Sequence, residues 1–248
     1  TGSLRVATLA CVPPGARLQG RCASSRSPNP PCVQVCQNSY NDREPRALPE
    51  PAIDPQSAIG TMPLILIDTG TTNTRVWRVE HGEPVRRIDR AVGVRDTAAE
   101  GSPARLHAAL REAIAEADGG DDLPIVAAGM ATSPLGIANA GHVHTPATVA
   151  SLAAGCQQVS VPTVAARAIV LIPGVRTHGG GEATSPEARA GAALAADVMR
   201  GEETLAIGLL QSGTLAPGDV LFTFGSHWKA IGIDAEGRIA WSRTALTG

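Results

Sequence analysis

The residues Asp68-Thr69-Gly70-Thr71-Thr72-Asn73 form a short polar stretch between two β-rich runs, Leu64-Ile65-Leu66-Ile67 and Arg75-Val76-Trp77-Arg78-Val79. Glycine lets the backbone come close to a bound group, and successive N–H groups with short hydroxyls can surround phosphate oxygens without bulky side chains in the way. A carboxylate at the end of an apolar strand, here Asp68, is placed to hold through water the Mg2+ that accompanies a nucleotide. Gly70, Thr71, Thr72 and Asn73 are therefore candidate phosphate ligands and Asp68 a candidate metal ligand. A plain hairpin turn accounts for the same residues equally well.

A second stretch has the same design. Val220 to Phe224 reads as a strand, Gly225-Ser226-His227 as a turn and Trp228 to Asp234 as a strand; Ala235-Glu236-Gly237 then turns into Arg238 to Arg243. At the first site the third strand runs from about Val85 to Ala91, after His81-Gly82-Glu83. Strand, small-residue turn, strand, Gly/Glu turn, strand thus occurs twice, as expected of a nucleotide clamp made by duplication.

The elements between the two units imply an α/β chain. From Ser102 to Ala117 apolar residues recur at helical spacing, with Ser102 as N-cap, Pro103 in the first turn and Gly119 past the end. Pro124 to Ala128 is a short apolar strand leading into Gly129-Met130, so helix then strand makes a crossover onto one sheet. Ala168 to Ile172 reads as a buried strand, Gly179 to Gly181 as a loop, Glu187 to Met199 as an alanine-rich helix and Glu202 to Gln211 as another helix. Residues 1–61 carry many prolines, read as disordered or as upstream extension, with Met62 a natural start.

Composition narrows the function classes. A hydrophobic content of 43% over 248 residues supports a substantial core. A net charge of -2 gives no basic field for nucleic acid or an anionic membrane surface, and 2% aromatic content provides no platform for stacking bases. No apolar run approaches the ~20 residues that span a bilayer. A soluble, cytoplasmic protein with small-molecule partners is expected, and self-association stays open. Cys32 and Cys36 have a zinc-like spacing, but with Cys11 and Cys22 they lack a convincing second ligand pair.

Several motifs in register, Asp68 to Asn73, Val92-Gly-Val-Arg-Asp-Thr-Ala98, Gly129-Met-Ala-Thr-Ser133, Met199-Arg-Gly-Glu-Glu-Thr204, Gly225-Ser-His227 with Lys229, and Leu246-Thr-Gly248, resemble the 2-dehydro-3-deoxygalactonokinase family. The resemblance runs from about Met62 to the last residue. It implies an actin-like ATPase (ribonuclease H-like) fold, with a first domain at 62–197 and an incomplete second domain at 198–248, closing over ATP, Mg2+ and a keto-deoxy sugar acid. It places Gly225 and Ser226 at a second phosphate turn and a catalytic carboxylate, Glu202 or Glu203, ahead of the second domain's first strand. Two glutamates opening a helix also complement its dipole, whatever else they do.

The fork of Arg200 suits a substrate carboxylate or the transferring phosphoryl. Thr132 and Ser133 could bond sugar hydroxyls, and His227 and Lys229 could assist the phosphates. Arg95 and Asp96 read as a structural salt bridge. The sequence departs from the family pattern at Trp228, where a Thr or Ser stands between the His and Lys. It also stops at Gly248, where the family continues with a Glu and the adenosine-binding part, so the chain is expected to be C-terminally truncated and the cleft to lack one wall. The implied activity is ATP-dependent phosphorylation of 2-dehydro-3-deoxy-D-galactonate to its 6-phosphate. The alternatives are an incomplete nucleotide-binding fragment and a kinase of another small acceptor, such as an amino sugar or pantothenate.

Overall fold

The computed structural model describes residues 6–9, 62–177, 196–225 and 227–245, and all of them fall in one unit. Three sheets form among them. The largest has the order β4-β3-β2-β5-β8-β7, built from β2 (Leu64–Thr69), β3 (Thr74–Glu80), β4 (Glu83–Arg90), β5 (Ile125–Gly129), β7 (Gln157–Val159) and β8 (Ile169–Leu171). β2 pairs antiparallel with β3 and parallel with β5, and β5 parallel with β8. This is the mixed α/β arrangement expected from the meander and crossover.

Alternation explains β2: Ile65, Ile67 and Thr69 are buried, while Leu64, Leu66 and Asp68 point to the other face. Helix α2 (Ala104–Asp118) packs its fully buried Leu106, Leu110 and Ala113 against this sheet. Its N-cap is Pro103, one residue later than expected, although Ser102 Oγ still accepts the Ala104 N–H at 3.3 Å. Gly119 ends the helix in the left-handed conformation. Helix α1 (Val94–Glu100), inside the Val92 to Ala98 motif, was not expected. Asp96 Oδ2 accepts the Gly93 N–H at 2.9 Å, and Asp96 pairs with Arg105 at 3.2 Å rather than with Arg95.

The second sheet, β1-β11-β12-β13, contains β11 (Val220–Phe224), β12 (Trp228–Ile233) and β13 (Ile239–Ala245), the meander read from the sequence. Its fourth strand, β1 (Val6–Leu9), pairs parallel with β11. Those four residues have regular structure where the proline-rich opening implied none; the opening's cysteines lie outside the described residues.

The third sheet joins β6 (His142–His144), β9 (Gly174–Arg176) and β10 (Val198–Met199). β10 corrects the helix expected through Met199, because Val198 and Met199 pair with Arg176 and Val175. The rest of the alanine-rich run, and Gly179 to Gly181, lie outside the described residues. Helices α3 (Val149–Gly155) and α4 (Glu202–Gln211) complete the described α-helices, and a 3-10 turn spans Met130–Thr132. A second core gathers Ala147, Leu152, Val175, Met199, Leu221, Ile231 and Ile239. It draws in residues well before the expected boundary at 197/198, since β9 pairs with β10 and Ala147 bridges to Ile239. No helix among the described residues is long and apolar enough to cross a membrane.

Candidate active site

A cleft of about 580 Å³ opens where the ends of β2 and β5, the start of α4 and the second hairpin meet. Asp68, Arg75 and Ala128 line it from the large sheet; Arg200, Gly201, Glu202, Thr204 and Leu205 line it from the start of α4; Thr223, Phe224, Gly225 and His227 complete it.

The turn after β2 is anchored rather than free. Gly70 N–H donates to Asn73 O at 2.8 Å, and the Asn73 amide to Thr72 Oγ1 at 3.0 Å. The N-terminus of α1 bonds underneath it, Val94 N–H to Gly70 O at 3.2 Å and Arg95 N–H to Thr71 O at 2.9 Å. Contact is so close that a Cβ on Gly93 would lie 2.5 Å from the Thr71 carbonyl. Thr71, Thr72 and Asn73 remain exposed.

Asp68 sits beside its cross-strand partner Arg75, whose Nη1 donates to Asp68 Oδ2 at 3.2 Å. Burial raises the Asp68 pKa and Arg75 opposes that shift. Asp68 supplies a hard oxygen donor to the cleft, and no group of three metal-ligating side chains forms among the described residues. A carboxylate oxygen is the donor type that a hard divalent cation takes.

The structure separates the two adjacent glutamates. Glu202 lines the cleft, and its Oε2 accepts the Arg200 N–H at 3.1 Å. Burial raises its pKa, opposed by hydrogen bonds from the backbone N–H groups of Glu202 and Arg200 and by the charge of Lys229. Glu203 turns inward to 1% exposure, and both of its oxygens accept the Gly201 N–H at 2.8 Å. Burial pushes it up to about 7.

Arg200 Nη1 donates to Thr132 O at 2.7 Å and Thr132 Oγ1 at 3.0 Å, while Nη2 reaches Asn139 Oδ1 at 3.1 Å. Thr132 and Ser133 are buried outside the cleft lining, and their hydroxyls donate to Gly129 O at 3.1 Å and Met130 O at 2.8 Å. Lys229 is also withdrawn, only 5% exposed. Its ammonium bonds Val198 O at 2.8 Å, Asp197 Oδ2 at 3.3 Å and the Thr244 hydroxyl. These three partners account for its donors, so in this arrangement it offers none to a phosphate. Burial pushes the Asp197 carboxyl up, but hydrogen bonds from Ser242 and Thr244 and the Lys229 charge bring it below the ordinary value. Gly225 is in the cleft, whereas Ser226 and Leu246 to Gly248 lie outside the described residues.

Arg75, Asn139 and Asp197 are the participants that sequence reading missed. Only Arg75 carried a signal, since a tight hairpin over Asp68 to Asn73 puts it opposite Asp68.

Residues 68–248 match the family model for 2-keto-3-deoxy-galactonokinase. A Rhizobium meliloti (strain 1021) protein with the provisional name 2-dehydro-3-deoxygalactonokinase is 30% identical over 184 residues, which cover 73% of this chain and 53% of that protein. The crystal structure of a provisionally assigned 2-dehydro-3-deoxygalactonokinase from Sinorhizobium meliloti is similar with a TM-score of 0.57 at 28% identity, over 75% of this chain and 55% of that one. The chain thus spans about half the length of these relatives. With a family match over most of its length, and with Asp68 and Glu202 of the matched motifs meeting in one cleft, the chain belongs to the 2-keto-3-deoxy-galactonokinase family.

Proposed function

We propose that this chain contributes the phosphate-binding and proton-accepting parts of an enzyme that moves the γ-phosphoryl group of ATP to the 6-hydroxyl of 2-dehydro-3-deoxy-D-galactonate. The observation that carries the reading is the convergence of Asp68, Glu202 and Gly225 on one cleft. The order β4-β3-β2-β5-β8 and the repeated hairpin support an actin-like fold, with one half centred on each larger sheet.

Phosphoryl transfer depends chiefly on positioning and charge neutralisation. In this reading the turns Asp68 to Asn73 and Gly225-Ser226 hold the phosphates, and Asp68 would hold the Mg2+ of the nucleotide. That ion supplies neutralisation of phosphate charge. Glu202 accepts the proton as the acceptor oxygen attacks phosphorus and the bond to the ADP oxygen breaks. Its raised proton affinity suits a base better than an ordinary exposed carboxylate does. Glu203 holds the Gly201 N–H instead, fixing the loop that presents Glu202.

A coupled ADP-release assay with 2-dehydro-3-deoxy-D-galactonate, run on the full-length enzyme, tests the reading. Glu202→Gln is expected to lower acid-dependent turnover by about 10²-fold or more while ATP still binds. ADP release no greater with the acid than without it would rule the reading out. The second reading, a nucleotide-binding segment without turnover, is favoured by Lys229 near the second turn having its donors taken by Asp197, Val198 and Thr244. It expects ATP-Mg to bind and Glu202→Gln to change nothing.

A further inference from the structure

The small third sheet gathers basic side chains that the phosphate turns and the proton acceptor leave unused. β6 and β9 run parallel in the register His142↔Gly174 and His144↔Arg176, so His142, His144 and Arg176 share one face. Gly174 leaves a gap on that face, and its neighbours fill it. A Cβ there would lie 2.7 Å from His142 Cδ2 and 2.9 Å from Arg200 Cγ, so the imidazole and the Arg200 stem meet over the glycine.

Among the described residues, neither arginine makes an ion pair: the Arg200 fork reaches only the neutral oxygens of Thr132 and Asn139, and Arg176 is exposed. The carboxyl that acts on Arg200 electrostatically is Glu203, which is already held by Gly201 N–H. The like charges are felt at His142, which burial first, and then Arg200, Arg176 and His144, hold below its ordinary pKa. Two guanidinium groups that make no ion pair among the described residues, on either side of His142 and next to a cleft that Arg200 lines, favour an incoming anion. A planar carboxylate matches the guanidinium fork.

We propose that His142, Arg176 and Arg200 form the subsite for the carboxylate of the acceptor sugar acid, at the edge of the cleft that Arg200 lines. Phosphate oxygens share this anionic chemistry, but ATP has its own turns on the other two sheets, and none of the three residues belongs to either turn. The assignment rests on the sugar-acid kinase reading.

The test compares 2-dehydro-3-deoxy-D-galactonate with its uncharged C1 amide as acceptors for the wild type, Arg176→Ala and His142→Ala. Each variant is expected to raise KM for the acid about tenfold, while the KM values for the amide and for ATP move less than about twofold. An equal rise for acid and amide, or a rise for ATP instead, would overturn the subsite. If neither acceptor is phosphorylated, the kinase reading fails by itself. Calorimetric titration of the same chain with acid and amide then decides: preference for the acid, lost in Arg176→Ala, upholds the subsite, and equal binding removes it.

Discussion

Glu202 and Glu203 differ by one position along a helix, and that rotation of about 100° gives them different chemistry. Glu203 is buried against a single backbone donor, and its pKa of about 7 is a statement about stability. Its folded pKa lies above the unfolded value, so the native state binds the proton more tightly. Stability is then greatest below about pH 4.5 as far as this group is concerned, and falls as pH rises to about 7, by about 3 kcal/mol in all. Glu203→Gln removes the titration and keeps an acceptor for Gly201 N–H. Urea midpoints are expected to fall for the wild type between pH 5 and pH 8 and to stay nearly level for the variant. Parallel curves would mean that Glu203 ionises without penalty. The same scale shows a limit of sequence reading. Asp197 meets Lys229, Ser242 and Thr244 from 32, 45 and 47 residues away, a network without local spacing to betray it.

Elements with strong periodicity were legible: α2 from its apolar stripe, β2, β3 and β5 from runs of Leu, Ile and Val, and the β11 to β13 meander from its turns. Helix α1 was hidden because Gly93 caps it where a Ser or Asp would advertise a start, leaving only Asp96 three residues on. The strands of the third sheet have two or three residues each, too few to show a period, and their pairing is decided by the second core. Hidden α1 nevertheless supports the legible turn. A methyl group on Gly93 would press on the Thr71 carbonyl at 2.5 Å, displacing the turn that α1 anchors. Gly93→Ala is expected to cost about 1–3 kcal/mol in urea unfolding and to weaken ATP binding at least about tenfold. An ATP affinity equal to that of the wild type would show that the turn does not hold the phosphates.

Across the whole described unit, two cores meet at the cleft, and the meeting is made by backbone. Gly129 ends β5 with φ 67° and Gly201 precedes α4 with φ 106°, conformations that side-chain-bearing residues rarely adopt. A Cβ on Gly201 would come 3.2 Å from Gly129 Cα, and one on Gly129 would strike Asp68 Oδ1 at 2.5 Å. Asp68 beside the first core and Glu202 beside the second are therefore brought to one cleft across two glycines in close contact. This makes Gly201→Ala a test of the geometry that leaves every polar side chain in place. Left-handed strain alone is expected to lower stability by about 1–3 kcal/mol, and the loop must shift away from β5 to admit the methyl group. If transfer needs Glu202 at a fixed distance from phosphates held by the Asp68 turn, kcat should fall at least about tenfold while ATP affinity changes little, since a small misplacement of a reacting group is enough to slow transfer. Equal loss of ATP binding would place Gly201 within the nucleotide site, and unchanged kcat would show that the join between the cores does not set the position of the base.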